Sequence, residues 1–184
     1  MLVVCTANLC RSPVAAGLLA RRLADVVDTD GRAWTVSSAG TERFPGLVEP
    51  DTAAAAAALG LDITTHASRQ LSADDLAAAD LIVTMTRAHV RAVVATDLSA
   101  WPRTFTLKEL VRRSQIAAEP GAGFDGWLAA AGAGRRAADM LAPSEDDDVT
   151  DPYRRGRAAN DAMVREVDSL IGQLVTWGPW VSAP

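Results

Sequence analysis

Cys5 and Arg11 sit at the two ends of the run Cys5-Thr6-Ala7-Asn8-Leu9-Cys10-Arg11, which Ser12 and Pro13 follow directly. A thiol and a guanidinium at this spacing suit phosphate chemistry. Sulfur is a strong nucleophile as thiolate, and the arginine fork matches two phosphate oxygens. Ser12 can donate a hydrogen bond to the sulfur, and Pro13 fits a first helical turn, where a missing N–H costs nothing. The flanking chain agrees. Leu2-Val3-Val4 is an apolar run suited to a buried strand, and Val14–Leu23 reads as helix. A strand, a tight loop and a helix N-terminus form an anion site, because unpaired N–H groups and the helix dipole converge there. Such a field favours the thiolate form of a cysteine placed in it. The competing reading is a buried strand cysteine with Arg11 on a helix surface. The complete string between strand and helix favours the phosphate cradle.

A thiolate that displaces an alkoxide or phenoxide needs an acid to protonate the leaving oxygen. It then needs a base to activate water, and one carboxyl group can serve both steps. Asp151 is the candidate, because Pro152 holds it in extended backbone just before the last helical pattern. It could equally be a solvated loop acid like Glu145, Asp146, Asp147 and Asp148, and the residues alone leave both readings open.

The elements that must position these groups follow from hydrophobic periodicity. Ala33–Gly40 reads as a second strand, Asp80–Met85 as a third and Arg103–Leu107 as a fourth. Helical patterns cover Pro50 to about Gly60, a short stretch opened by Ser72, a stretch capped by Thr86, Lys108–Ile116 and Gly156–Val175. Strands alternating with helices predict an α/β fold with a parallel sheet covered by helices on both faces, where ligands bind beyond the carboxyl ends of the strands. Cys5 would stand there. Asp28-Thr29-Asp30-Gly31 reads as a turn. Pro120-Gly121-Ala122-Gly123 interrupts a long excursion over about 117–143, which includes a short helix. Trp177–Pro184 is a tail with no assigned structure.

The chain has 184 residues, a length that predicts one domain over 1–184. A net charge of −5 gives no electrostatic basis for nucleic-acid binding. The start lacks a signal-like segment and no apolar run reaches membrane-span length, so the cytoplasm is the expected compartment. Both cysteines, Cys5 and Cys10, lie in the first loop, and neither a disulfide framework nor zinc-ligand spacing around His66 and His89 is expected. Cys10 either fills space or traps oxidised Cys5 as a disulfide.

The Cys5–Pro13 run and Asp151-Pro152-Tyr153 resemble the low-molecular-weight protein tyrosine phosphatases. So do Ser38-Ala39-Gly40-Thr41, His66-Ala67-Ser68-Arg69-Gln70 and Asp80-Leu81-Ile82-Val83, in the same order along the chain. The resemblance implies a four-stranded parallel sheet flanked by helices, with the phosphate loop after the first strand. It also implies a cysteinyl-phosphate mechanism that hydrolyses phosphotyrosine in proteins, with no metal or other cofactor. On that pattern Cys5 would be the nucleophile, Arg11 the phosphate clamp and Asp151 the general acid and then base. Ser12 would stabilise the departing thiolate. Backbone N–H groups of Thr6, Ala7, Asn8, Leu9, Cys10 and Arg11 would bind the phosphate. Asn8 would hold the loop, supported by Ser38 and His66, and Phe44 and Tyr153 would wall the substrate ring.

Two departures stand out. The family usually has glycine where this chain has Ala7. Alanine would strain the loop by roughly 1–2 kcal/mol if that position needed a positive φ, or narrow the pocket if glycine served close approach. The 117–143 excursion is the other, and a lid, a partner surface or an unordered segment are all open for it. Related proteins dephosphorylate arginine or reduce arsenate. The arginine phosphatases carry threonine where Leu9 stands. One group of arsenate reductases needs further cysteines downstream, and another typically has glutamine where Pro13 stands. A catalytically weak phosphotyrosine-binding module is the remaining alternative, although a binder has no use for Asp151.

Overall fold

The computed structural model describes residues 1–28, 31–117 and 123–182. Thr29 and Asp30 of the expected turn, residues 120–122 of the expected break, and residues 183–184 of the tail lie outside them. In chain order the elements are β1 (Leu2–Cys5), α1 (Arg11–Arg22), β2 (Val26–Val27), β3 (Ser37–Gly40), α2 (Pro50–Ala57) and α3 (Ala73–Ala78). β4 (Ile82–Thr84), α4 (Arg87–Thr96), β5 (Thr104–Thr106), α5 (Leu107–Ala117), α6 (Gly123–Gly132), α7 (Arg157–Trp177) and β6 (Val181–Ser182) follow.

The central sheet has four strands in the order β3-β1-β4-β5, and each neighbouring pair is parallel. Residues along β1 alternate between its two faces. Val3 and Cys5 enter the larger core with α1, α2, α5, α6 and α7, whereas Leu2 and Val4 pack with Leu76, Val93 and Ala100 on the other side. Helices therefore cover both faces, as strand–helix alternation predicts. From β1 the chain runs through α1 to β3, then crosses back to β4 on the far side of β1. The order reverses at β1, so the loop after this strand opens into the crevice where such sheets bind ligands.

Local signals set the helix ends. The Ser72 hydroxyl and the Asp75 carboxylate form a reciprocal capping box on α3, Thr86 caps α4, and Pro50 opens α2. α1 starts earlier than apolar periodicity suggests, at Arg11, because Arg11, Ser12 and Pro13 are themselves buried. The second strand is shorter than predicted, with only Ser37–Gly40 pairing with β1. The described part of the tail has structure of its own: β6 pairs antiparallel with β2, and the Trp180 ring meets that of Trp34 edge-on at 4.8 Å.

Candidate active site

The loop from Cys5 to Arg11 leaves β1 and enters α1, whose N-terminus carries neither a side-chain cap nor an acidic residue in its first turn. Those N–H groups and the positive end of the helix are thus left for an anion. Neighbouring strand backbone fastens the loop at its start. The Thr41 N–H donates to the Cys5 carbonyl at 2.9 Å, and the Glu42 N–H to that of Thr6 at 3.0 Å. Gly40 makes this approach possible, because a Cβ there would lie 2.6 Å from the Thr6 carbonyl oxygen.

Asn8 takes the left-handed conformation, φ 55°, which asparagine tolerates better than most residues. Ala7 is not among the positive-φ residues, so alanine there carries no left-handed strain, and it lines the cleft. The buried Asn8 amide is fully used. Its Nδ2 donates to Ser12 Oγ and Ser38 Oγ, both at 2.9 Å, and its Oδ1 accepts from the Arg69 N–H at 3.2 Å. His66 Nε2 lies 3.2 Å from both the carbonyl and the Oδ1 of Asn8. Two acceptors facing one nitrogen make it the protonated one. Burial lowers the His66 pKa more than its bond to Asn8 raises it, and Arg69 lowers it further, consistent with a neutral ring.

Ser12 Oγ accepts from Asn8 and lies 2.9 Å from Cys5 Sγ. Its own hydrogen is therefore free to point at the sulfur. Arg11, with a side chain only 5% exposed, reaches the Val149 carbonyl and Thr6 Oγ1, both at 3.3 Å, and forms an ion pair with Asp151 at 2.9 Å. The Asp151 side chain is 51% exposed. Cys10 is buried, and desolvation pushes its thiol up to about 11 despite an opposing hydrogen bond with Thr52. Both cysteines are free thiols.

A cleft of about 210 Å³ is lined by Cys5, Thr6, Ala7, Leu9, Cys10, Arg11, Phe44, Asp151 and Tyr153, together with Glu42. The Phe44 and Tyr153 rings meet edge-on with centroids 5.9 Å apart. Asn8, Ser12, Ser38 and His66 stand behind the loop. All the residues singled out from sequence thus gather at one end of β1. Three contributors had no role assigned from sequence, although Gly40 and Ser68 stand in the resembling motifs. Ser68 Oγ donates to the Ala7 carbonyl at 2.6 Å, and Gly40 admits the loop. His89, buried on α4, bonds Thr6 Oγ1 through Nε2 and Thr86 Oγ1 through Nδ1, both at 2.9 Å. A lone histidine after a strand carried no signal in the sequence, because its partner Thr6 lies at the other end of the chain's first half.

The family model described as low molecular weight phosphotyrosine protein phosphatase matches residues 1–119. The chain belongs to this family. It is a cysteine-based phosphoric monoester hydrolase of the low-molecular-weight type, acting on phosphotyrosine-like substrates. It is 35% identical over 111 residues to the probable low molecular weight protein-tyrosine-phosphatase EpsP of Ralstonia solanacearum, across 60% of this chain and 71% of that one. The low-molecular-weight phosphatase structure from T. tengcongensis superimposes with a TM-score of 0.68 at 26% identity, covering 95% of this chain and 96% of that one. The YwlE arginine phosphatase from Geobacillus stearothermophilus does so with a TM-score of 0.67, also at 26% identity, covering 95% and 89%. The family match stops before Asp151, so the acid loop enters the comparison through the structures.

Proposed function

We propose that this low-molecular-weight phosphatase hydrolyses phosphotyrosine in proteins through a phosphate ester of Cys5. The Cys5 thiolate attacks phosphorus, the bond to the phenolic oxygen breaks, and Asp151 gives that oxygen its proton. Water then attacks the cysteinyl-phosphate, Asp151 takes a proton from it, and the sulfur departs as thiolate with the Ser12 hydroxyl donating to it. Arg11 and the N–H groups from Thr6 through Arg11 hold the phosphate oxygens in both steps. The observation that carries this reading is the gathering of Cys5, Arg11 and Asp151 around one cleft, with Ser12 hydrogen-bonded to the sulfur.

Phe44 and Tyr153 favour an aromatic ester, since they offer ring faces and edges at the cleft wall. The arginine-phosphatase reading has an equally similar structural relative, yet Leu9 presents an apolar side chain to the cleft where that group carries threonine. The whole of 1–184 acts as one domain, with 117–143 as an excursion atypical of the family. Among the described residues no helix is long and apolar enough to cross a membrane. A reducing cytoplasm suits an enzyme whose nucleophile must stay a free thiol.

The test is hydrolysis of para-nitrophenyl phosphate with reductant and without added metal. The expected result is turnover that Cys5→Ser abolishes and Asp151→Asn lowers by roughly 10²–10⁴-fold. A folded wild type that binds phosphate without turning over substrate would refute the proposal and favour a phosphotyrosine-binding module.

A further inference from the structure

Asp151 is half exposed; its carboxylate pairs with Arg11, the side chain it would have to share with phosphate, and accepts the Tyr153 N–H at 3.2 Å, a contact two residues away that does not tie it to the body of the fold. Something other than its own contacts must set where it stands. The preceding residues supply this. In the acidic run, Glu145 and Asp146 are exposed and Asp148 is half-buried, but Asp147 is buried, with a side chain 2% exposed. Its Oδ2 accepts from Arg87 Nε at 2.6 Å, and its Oδ1 pairs with Arg112. Asp148 Oδ1 accepts the Arg87 backbone N–H at 2.7 Å, at the first residue of α4. The Val149 N–H donates to the Met85 carbonyl at 2.8 Å, and the Val149 carbonyl accepts from Arg11. Consecutive residues are thus tied to α4, α5, the end of β4 and the phosphate clamp, and the loop reaches Asp151 two residues later.

We propose that Asp147, gripped between Arg87 and Arg112, is the positioning residue that sets Asp151 over the cleft. It governs the proton-donating half of the reaction without touching substrate. The proposal rests on Asp151 being the general acid. A buried carboxylate satisfied by two guanidiniums is rigid, and removing its charge leaves both cations short of a partner. The loop then shifts, and misplacement by about 1 Å is enough to cost a reaction roughly 10²-fold.

The readout is dependence on the leaving group, which general loss of structure does not produce. Up to cleavage of the phosphorus–oxygen bond, kcat/KM needs the acid for phenyl phosphate. It hardly needs it for 2,4-dinitrophenyl phosphate, whose leaving group is a far weaker base. Asp147→Asn is expected to lower kcat/KM on phenyl phosphate by about 10–10²-fold. On the dinitrophenyl ester, and in inhibition by inorganic phosphate, it should stay within about twofold of wild type. Adding Asp147→Asn to Asp151→Asn should cause no further loss on phenyl phosphate. Arg112→Ala, which removes one partner whose side chain is 51% exposed, should give the same pattern at smaller amplitude and serves if Asp147→Asn does not fold. Equal losses on both esters, or no loss on either, would overturn the role of Asp147. If Asp151→Asn itself loses both esters equally, the assignment of the acid fails first and separately.

Discussion

At the scale of single residues, Asn8 is the keystone of the phosphate loop. It combines a left-handed backbone with an amide whose hydrogen bonds reach α1, β3 and the segment around His66. Alanine there would meet the left-handed penalty and orphan several buried partners at once. Asn8→Ala should destabilise the protein by about 2–4 kcal/mol in urea unfolding. It should also depress kcat/KM on para-nitrophenyl phosphate, because Ser12 loses the donor that aims its hydrogen at Cys5. Retention of both stability and activity would show that the backbone alone holds the loop. The identity of this residue was legible in the Cys5–Pro13 string. That it bonds Ser38 and His66 was available only through resemblance, since nothing in their spacing says so.

At the scale of elements, the excursion is anchored to the body by a residue the sequence did not mark. Arg135, with a side chain 2% exposed, donates to Glu109 Oε1 at 2.8 Å and to the Thr104 carbonyl at 2.6 Å. Its guanidinium carbon lies 3.9 Å from the centre of the Phe105 ring and 4.1 Å from that of Trp101. Helix α6 packs beside it on α5, burying Trp127 and Ala131. Arg135→Ala leaves Glu109 with Arg113 alone and should cost about 3–5 kcal/mol, read by thermal or urea unfolding. A change below about 1 kcal/mol would mean the segment holds on through α6 alone. Glycines at 121, 123, 132 and 134 made the segment look loose from composition, whereas burial of one cation and one indole depends on contacts that composition does not record.

At the scale of the whole molecule, the two histidines tie stability to pH. Burial, aided by the nearby Arg11 charge, brings His89 down to about 3 from an ordinary 6.5, and burial also lowers His66. In the unfolded chain both regain ordinary values and bind protons that the folded protein refuses. Stability from this source is therefore full above about pH 6.5 and is lost as pH falls toward the folded value. The melting temperature should fall on acidification below neutrality, and His89→Gln should flatten that fall between about pH 6.5 and 4. An unchanged slope would place the acid sensitivity elsewhere. His66 behind Asn8 and His89 beneath Thr6 thus make the backing of the first loop sensitive to acid.

The sequence by itself determined the strand, loop and helix order of the first segment, the strand–helix alternation, the caps at Ser72 and Thr86, and Pro50 at the start of α2. Each of these rests on residues a few positions apart, whose geometry local backbone rules dictate. Only the tertiary structure decided that His89 lies under Thr6, that Asp151 meets Arg11, and that Asp147 among its acidic neighbours is the buried one. It also decided that the tail returns to pair with β2. These contacts join residues far apart in the chain, and they exist because the crossover at β1 brings the carboxyl ends of parallel strands together. Periodicity tells which face of an element is buried, but not which distant partner it is buried against.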